Sequence, residues 1–395
     1  MQGRTRWINA LALGLLLLLA ACGEQTPTSA PAAATATTSA APTDQAAGQA
    51  TPAAATATTA SGAASQPFAG QTLTLVTHDS FAIGGEVISG FEELTGAKVQ
   101  ILQAGDAGEA LNKSILAKGA PLGDVFFGVD NTFLSRALGE GIFEAYAPQG
   151  LDQIPAELKL DPENRLIPID YGYVNLNYDK AALAKAGLQP PADLRDLAKP
   201  EWKGKLVVEN PAKSSPGLAF LLATIDHFGE SGDYTWKQFW ADLKANEVKV
   251  ADGWSDAYYN DFAGGGASGA YPLVVSYATS PAAAVIFSDP RLSDAPTGNI
   301  LVPGGVFRQI EFAGILQGTK NPELAKAWMD YMLGERFQGD IGGQMLVYPA
   351  LPKAQVPPEF ASFAQVPEQY AKLTPEQIAS GRDAWLEQWA DVMAQ

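Results

Sequence analysis

The sequence predicts an α/β protein of two lobes, each a mixed, mostly parallel sheet flanked by helices, with a ligand cleft between the lobes. Strand-like and helix-like segments alternate through residues 68–395, as expected of parallel sheets covered by helices. That body is long enough for two domains. One long extended run, "LIPIDYGYVNLNYDK" (Leu166–Lys180), is suited to crossing from one lobe to the other.

The first part of the body contains three strand–helix units. The strands are "TLTLVTH" (Thr72–His78), "KVQILQA" (Lys98–Ala104) and "DVFFGVD" (Asp124–Asp130), and the third is apolar enough to be buried on both faces. Helices "GEVISGFEELTG", "GEALNKSILAKG" and "TFLSRALGEG" follow them, and Asn131 is predicted to N-cap the last. The short links between strand and helix argue for a parallel sheet.

A second α/β set follows the crossing run. Its strands are "KLVVEN" and "YPLVVSYA", and its helices are "SPGLAFLLATIDHFG" and "YTWKQFWADLKAN". "IEFAGILQG" (Ile310–Gly318) is predicted to be a return strand, and "PELAKAWMDYML" and "TPEQIASGRDAWLEQWADVMAQ" are predicted closing helices. This order assigns residues 68–175 and 305–395 to lobe 1 and residues 176–304 to lobe 2.

The N-terminus predicts export. Arg4 and Arg6 precede an apolar run that is too short for a membrane span, so residues 1–22 are typical of a secretory signal. "LAAC" (Leu19–Cys22) resembles a bacterial lipobox, in which the cysteine carries lipid; a plain signal peptide is the alternative. Residues 23–67 are rich in Ala, Thr, Ser and Pro, and predict a disordered tether. We therefore expect a protein anchored to the cell membrane by lipid on Cys22, facing the periplasm or the cell surface.

Charge and residue usage narrow the function. The formal net charge of -17 argues against a nucleic-acid partner and suits a cationic ligand, although acidity also serves solubility. Cys22 is the only cysteine and His78 and His227 are the only histidines, and no hydrolase or nucleotide-binding motif is present. We expect no cofactor and no enzymatic activity; a tethered hydrolase that uses a carboxylate pair is the enzymatic alternative.

Polar residues collect where the predicted strands end. The first strand ends in "THDSFA" (Thr77–Ala82), Asp106 follows the second strand, and the third ends in "GVDN" (Gly128–Asn131). In parallel α/β sheets, ligands bind outside the carboxyl ends of the strands. In "PAKSSPGL" two serines open a helix and predict an anion or hydroxyl site, with simple N-capping as the alternative. The candidate residues are His78, Asp79, Ser80, Asp106, Asp130, Asn131, Ser214 and Ser215.

The body resembles the thiamine-binding, substrate-binding proteins of ABC transporters, within the wider class of two-lobed (type II) periplasmic binding proteins. The stretches that carry the resemblance span nearly all of residues 68–395 in order, and "GWS-x-AY" with "SY-x-TSPA" is the most specific pair. The resemblance implies a monomeric receptor that closes on thiamine or its mono- or diphosphate and delivers it to a membrane permease. These stretches are "THDSFA", "GVDNTFL", "IPIDYGYVNLNYDK", "SSPGLAFLLATI", "DGWSDAY", "LVVSYATSPAA" and "RDAWLEQW".

The resemblance also implies roles for particular residues. Trp254 and Tyr277 correspond to aromatic positions beside the ligand, which would suit the cationic thiazolium ring of thiamine. Asp79 and Asp106 correspond to polar contacts in the first lobe. The remaining correspondences are Ser214 and Gly217 at the hydroxyethyl or phosphate end, and Asp170 and Tyr171 in the crossing stretch.

Several aromatic positions of that family are changed here. His78 and Ala283 each stand where the family has a Tyr, and Leu346 and residues 83–85 where it has a Trp. Tyr258, Tyr259 or Tyr348 could substitute, or the ligand could be a relative of thiamine. Adjacent tyrosines in "AYYN" also leave a ferric-ion receptor open, and a surface adhesion or scaffold protein is the alternative of another class.

"VADGWSDAYYNDF" (Val250–Phe262) places aromatic residues four apart, so that on a helix they share one face. That face could pack into a core or line a binding site. We predict that Trp254 faces the ligand and that Tyr258 and Phe262 support it from the core, and we leave Tyr259 undecided.

Overall fold

The computed structural model describes residues 66–264 and 269–394. The predicted signal, Cys22 and the tether up to residue 65 lie outside the described residues, so the predictions made for them stay predictions. No helix within the described ranges has both the length and the hydropathy that crossing a membrane requires.

The strands of the described residues belong to one mixed sheet, with the order β2-β1-β3-β10-β5-β8-β6-β7. Pairing is parallel at each end of this sheet, between β1 and its neighbours β2 and β3 and between β6 and its neighbours β7 and β8. The short strands β9 and β11 pair with β5, and β4 pairs with β10. The strands are β1 (Thr72–Thr77), β2 (Lys98–Gln103), β3 (Val125–Asp130), β4 (Phe143–Glu144), β5 (Ile167–Asp179), β6 (Leu206–Glu209), β7 (Lys249–Ala251), β8 (Leu273–Tyr277), β9 (Thr297–Ile300), β10 (Phe307–Leu316) and β11 (Tyr348–Pro349).

Strand β5 joins the two ends of the sheet, as the extended run in the sequence predicted. Its first part pairs antiparallel with β10, from Ile167 opposite Ala313 to Val174 opposite Phe307. Its second part, from Val174 to Tyr178, pairs antiparallel with β8. Strand β10 also pairs antiparallel with β3, so β5 and β10 together form the crossing strands.

Helices cover the sheet and close the core. Their bounds are α1 (Gly85–Thr95), α2 (Ala107–Leu116), α3 (Leu134–Gly139), α4 (Lys180–Ala186), α5 (Ser215–Phe228), α6 (Trp236–Ala245), α7 (Ser280–Ile286), α8 (Pro322–Met332), α9 (Glu335–Gln344), α10 (Glu359–Phe363) and α11 (Pro375–Ala394). Residues 256–261 form a short π-helix. Most residues of α5 are buried, which explains its nearly continuous apolar sequence.

The predicted N-cap at Asn131 is wrong. Helix α3 begins at Leu134 with Phe133 as its N-cap. Asp130 closes the preceding turn instead, because its carboxylate accepts from the backbone N–H groups of Thr132 and Phe133. The Asn131 side chain accepts from the N–H of Ile310 at 2.9 Å, so it fastens this turn to β10.

The terminal helix α11 contacts elements from both parts of the sheet. Trp389 packs edge-on against Trp240 of α6, with ring centroids 5.6 Å apart. About two turns earlier on the same helix, the Arg382 guanidinium lies 4.8 Å from the centre of the Phe133 ring. Burying an aromatic side chain of this size contributes about 2–3 kcal/mol, so α11 is a substantial link between α6 and the start of α3.

Candidate functional site

A cavity of about 600 Å³ lies beside the crossing strands, where the ends of β1 and β8 and the starts of α2, α5 and α7 come together. Two sets of side chains enclose it. We call the first the aromatic wall; it consists of Trp254, Tyr258, Tyr259 and Tyr277. We call the second the charged wall; it consists of His78, Asp106 and Glu311. The two walls come from the parts of the chain predicted to form lobe 2 and lobe 1.

The aromatic wall is built around Trp254. Its indole stacks on the Tyr258 ring, with centroids 5.1 Å apart and planes 19° apart. Tyr277 meets the same indole at 6.0 Å and 69°. The indole N–H donates to the Ser276 hydroxyl at 2.9 Å, and Ser276 in turn shares a hydrogen bond of 2.9 Å with Ser280. These contacts hold the indole in one orientation before any ligand arrives.

Tyr258 and Phe262 lie behind and beside Trp254. Phe262 is fully buried and its ring lies 5.5 Å from the Tyr258 ring, so it supports the wall from the core. Tyr258 supports Trp254 and also lines the cavity. Tyr259, which the sequence left undecided, lines the cavity and is half exposed.

His78 and Glu311 form the inner part of the charged wall. The His78 Nε2 atom lies 3.4 Å from a Glu311 carboxylate oxygen. Burial alone would lower the pKa of His78, but the Glu311 carboxylate beside it, with the charges of Asp106 and Asp79, raises it above the usual value. The imidazole has room because residue 128 is a glycine with φ of +109°; a Cβ there would lie 2.5 Å from the ring.

Asp106 connects the two walls. As the N-cap of α2, its carboxylate accepts from the backbone N–H of Ala107 at 2.6 Å. The other carboxylate oxygen accepts from the backbone N–H of Trp254 at 2.9 Å. Burial raises the pKa of Asp106, while these hydrogen bonds oppose the shift. Residue 253 is a glycine, and a Cβ there would lie 2.8 Å from the Asp106 carboxylate. The parts of the chain that contribute the two walls also meet outside them, where the Gly108 backbone N–H donates to the Lys213 carbonyl at 2.9 Å.

Two further acids lie buried next to the charged wall. Asp130 accepts from the hydroxyl of Thr132 at 2.6 Å, its second oxygen has no hydrogen-bond partner, and burial raises its pKa to about 6. Asp170 is buried with neither oxygen hydrogen-bonded, and burial together with the charge of Glu311 raises its pKa well above the usual value. These acids are therefore costly to ionise in the empty protein.

The start of α5 presents unpartnered hydroxyl groups. Ser214 is the N-cap residue, yet its side chain makes no capping hydrogen bond. The hydroxyls of Ser214 and Ser215 are both buried without a partner, and Ser215 lines the cavity. Gly217 lets the helix approach β6, because a Cβ there would lie 2.6 Å from the carbonyl oxygen of Glu209. Each hydroxyl lies beside a buried carboxyl group, Ser214 beside Asp106 and Ser215 beside Asp130.

The structure brings together some of the sequence-predicted site residues and separates others. Asp79 is exposed, while Asp130, Asp170 and Ser214 lie buried behind the cavity surface. Gly217 serves packing and Asn131 fastens its turn to β10, as described above. The predicted residues that line the cavity are His78, Ser80, Asp106, Ser215, Trp254 and Tyr277.

Tyr171 and Tyr348 belong to another cluster. Their rings stack at 5.4 Å and 22°, and Tyr173 meets Tyr171 at 6.2 Å and 87°. Neither Tyr171 nor Tyr348 lines the cavity. On β5 the neighbouring Gly172 instead lies against Tyr277, which does line it. Because side chains alternate along a strand, the tyrosine pair lies on the opposite face of β5.

Sequence reasoning missed several residues that line the cavity. Glu311 and Gln309 lie on β10, and Met345 lies at the end of α9. Two positions where aromatic residues were expected from the resemblance, Ala283 and Leu346, also line the cavity. The one signal that pointed to Glu311 was a single acid inside the apolar run "IEFAGILQG".

The adjacent residues Tyr258 and Tyr259 raise the question of whether the site could bind Fe(III). Burial raises the pKa of both Tyr258 and Tyr259, which disfavours the tyrosinate form that Fe(III) prefers. In the portion of the chain that the structure describes, no group of three or more His, Cys, Asp or Glu residues is placed to hold a metal ion. The raised pKa values of the two tyrosines therefore do not favour a tyrosinate–Fe(III) site.

Comparisons with known proteins give similarities over most of the chain. A family model described as bacterial extracellular solute-binding protein matches residues 120–371. The thiamine-binding periplasmic protein of Salmonella typhimurium is 30% identical over 331 residues, which is 82% of this chain and 94% of that protein. The protein of the same name from Brucella suis is 30% identical over 337 residues, 83% of this chain and 94% of its own length. A solved structure titled periplasmic thiamin binding protein is 27% identical, with a TM-score of 0.71, and the match covers 82% of this chain and 96% of that one.

Proposed function

Since this chain belongs to the family of bacterial extracellular solute-binding proteins, and is a binding protein and not an enzyme, we propose that it binds thiamine in the cavity between the two walls. The match to the family model confirms the predicted family, and the match to the solved structure confirms the predicted type II fold. Thiamine as the ligand remains our proposal. It is supported by what the relatives are named for and by the chemistry of the two walls.

The presence of the aromatic and charged walls in the lining of one cavity carries the proposal. Thiamine has a fixed positive charge on a flat thiazolium ring and a flat aminopyrimidine ring. A cation against an aromatic face gains about 0.5–2 kcal/mol, and more where water is excluded. The stacked Trp254 offers such a face, and Glu311 adds a carboxylate to the lining of the same cavity. No Lys or Arg from residues 66–264 or 269–394 lines this cavity to repel a cation.

The lack of Lys and Arg in the described lining of the cavity also bears on which phosphorylation state of thiamine binds best. A diphosphate brings negative charge that Lys or Arg commonly neutralises. Here the start of α5, with the free hydroxyl of Ser215, is the group suited to a hydroxyethyl or phosphate end. We therefore expect thiamine to bind more tightly than its diphosphate.

Delivery and anchoring complete the proposal. Residues 68–175 and 305–395 would move as one lobe and residues 176–304 as the other, closing on a ligand that contacts both. The closed, monomeric receptor would then dock on an ABC permease, and lipid on Cys22 would keep it at the membrane.

A calorimetric titration tests the proposal. The purified protein, freed of bound ligand by partial unfolding and refolding, would be titrated separately with thiamine, its monophosphate, its diphosphate and Fe(III). We expect submicromolar binding of thiamine, which corresponds to more than about 8 kcal/mol. Binding of Fe(III) alone, or no heat with any thiamine form, would overturn the assignment.

A further inference from the structure

Three acids stand side by side on three adjacent strands. Glu311 of β10 is the register partner of Asp130 on β3 and also of Asp170 on β5. Directly opposed residues of antiparallel strands present their side chains on the same face of the sheet. We call these three residues the carboxyl row. It crosses the middle of the sheet, on the strands that join its two ends.

The carboxyl row is buried and poorly compensated. Asp130 and Asp170 are 0% and 1% exposed, and Glu311 is 7% exposed. One oxygen of Asp130 and both oxygens of Asp170 have no hydrogen-bond partner. Like charges this close in a buried site cannot all ionise, so protons must remain on the row while the cavity is empty.

Only one member of the row reaches the cavity. Glu311 lines it, whereas Asp130 and Asp170 lie to either side and do not. The Nε2 atom of His78, a buried residue that also lines the cavity, lies near Glu311 without a hydrogen bond of good geometry. A cation in the cavity would thus meet Glu311 first, while the flanking acids would feel its charge at longer range.

Other charged and polar groups also face the row. His78 reaches it from the end of β1 and Asp106 from the start of α2. Ser215 of α5 and Arg382 of α11 lie on the side of Asp130. Tyr277 of β8 and, beyond it, Glu209 of β6 complete the surroundings. Arg382 and a protonated His78 are the only cations among these groups. They are too few to balance the negative charge of a fully ionised carboxyl row together with Asp106 and Glu209.

We propose that the carboxyl row is the charge-recognition unit of the site, and that a cation bound beside Glu311 expels a proton from the row to the solvent. The O–H bond of one row carboxyl breaks, its electron pair stays on the carboxylate, and the proton passes to the buffer. The ligand forms no covalent bond. This inference rests on the proposed function, because thiamine is the cation concerned.

The proposal predicts the direction in which the affinity for thiamine changes with pH. Raising the pH removes the proton in advance, so the affinity for thiamine rises with pH until the row has ionised. Loss of the proton from His78 acts in the same direction, because it also leaves the cavity more negative. The two proton sources are separated by substituting the row and the histidine independently.

The experiment is calorimetry of thiamine binding at one pH near neutrality in two buffers, phosphate and Tris, whose ionisation enthalpies differ widely. The dependence of the observed enthalpy on the buffer gives the number of protons released. We expect about half to one proton per thiamine for the native protein. The same count is expected for the surface control Glu230→Gln, whose site is exposed. His78→Gln removes the second proton source, so we expect it to lower the count without abolishing it.

Asp170→Asn keeps the shape of the side chain and removes its proton exchange. We expect its proton count to fall toward zero with binding retained, and we expect Glu311→Gln to lose the count together with about tenfold in affinity. Thermal unfolding of each variant verifies that it is folded. Equal binding enthalpies in both buffers for the native protein would contradict the proposed proton release from the carboxyl row. An unchanged number of released protons in both row variants would contradict it as well. Either result would leave the proposal of thiamine binding intact. A complete lack of thiamine binding would overturn both proposals.

Discussion

The aromatic and charged walls enclose the same ligand space, but the chain assembles them differently. Three of the four aromatic residues lie within positions 254–259, and the fourth, Tyr277, lies at the end of the next strand. The charged wall draws His78, Asp106 and Glu311 from three distant parts of the sequence. One wall is largely a local structure, whereas the other exists only once the sheet has formed.

The walls also differ in what stabilises them. Stacking, an indole hydrogen bond and the buried Phe262 hold the aromatic wall in place, and all of these contacts are satisfied. Next to the charged wall, Asp130 and Asp170 keep carboxyl oxygens without hydrogen-bond partners. The comparison teaches that one wall is preorganised and supplies shape, while the other stores unfavourable charge that a cation relieves.

The largest expected effect comes from the aromatic wall. Trp254→Ala removes the face on which a flat cation would stack, together with the indole contact to Ser276. We expect the Kd for thiamine to rise about 30- to 100-fold, as at a binding hot spot, with little change in the unfolding temperature. Calorimetry and thermal unfolding of the same sample measure the two quantities.

Trp254→Phe is the matched control for that substitution. It keeps an aromatic face over Tyr258 and loses only the indole N–H, so we expect at most about a tenfold loss of affinity. If Trp254→Ala bound thiamine as tightly as the native protein, the aromatic wall would not be a ligand wall.

His78 and the buried Asp130 next to the charged wall predict a pH dependence of stability in the ligand-free protein. Burial raises the pKa of Asp130 from 3.8 to about 6, so its stabilising effect is fully present below about pH 4 and is lost as the pH rises through 6. His78, whose pKa is also raised, loses its contribution in the same direction at higher pH. We expect a loss of about 1 kcal/mol in unfolding free energy between about pH 5 and pH 7, or about 2 °C in Tm.

Asp130→Asn distinguishes the contribution of Asp130 to this pH dependence from that of the other titrating groups. The substitution removes the titrating group, so the unfolding temperature should change less between the two pH values than in the native protein. Saturating thiamine should likewise reduce the native protein's loss, because a cation favours the ionised carboxyl groups. A Tm that increased over this pH range without ligand would contradict the assignment of stored charge.

The contact between the walls predicts a smaller effect. Asp106→Asn keeps an acceptor for the α2 N-cap but removes the charge that faces the cavity. We expect a three- to tenfold weaker affinity for thiamine and a Tm lower by about 2–4 °C, because the amide nitrogen of Asn cannot accept the second of the two backbone N–H groups (about 1 kcal/mol). The control is Asp179→Asn, which alters the N-cap of α4 away from the cavity. Equal losses in both variants would show that capping, not charge at the cavity, is responsible.

The same contrast explains how much of this molecule the sequence predicted. The crossing run, the strand–helix units and the aromatic segment each depend on neighbours in the chain, and periodicity or spacing was enough to find them. Glu311 became a site residue only because β10 pairs between β3 and β5, which no local pattern encodes. Asn131 was misread because Asp130, one position earlier, captured the turn. Long-range register decides the first case, which a single sequence does not display, and competition between two adjacent turn residues decides the second.

The smallest expected effect tests a position outside both walls. The sequence made Tyr348 a candidate for the ligand site because it could replace a missing aromatic residue, yet it stacks on Tyr171 on the other face of β5. Its hydroxyl lies 3.4 Å from the Ala364 carbonyl, a weak hydrogen bond. Tyr348→Phe keeps the stack, so we expect a Kd within about twofold of native. Tyr277→Phe, on the aromatic wall, is the matched comparison by calorimetry. If the Tyr348 variant lost more affinity than the Tyr277 variant, the ligand would have to reach across β5, and the two walls would not enclose the whole site.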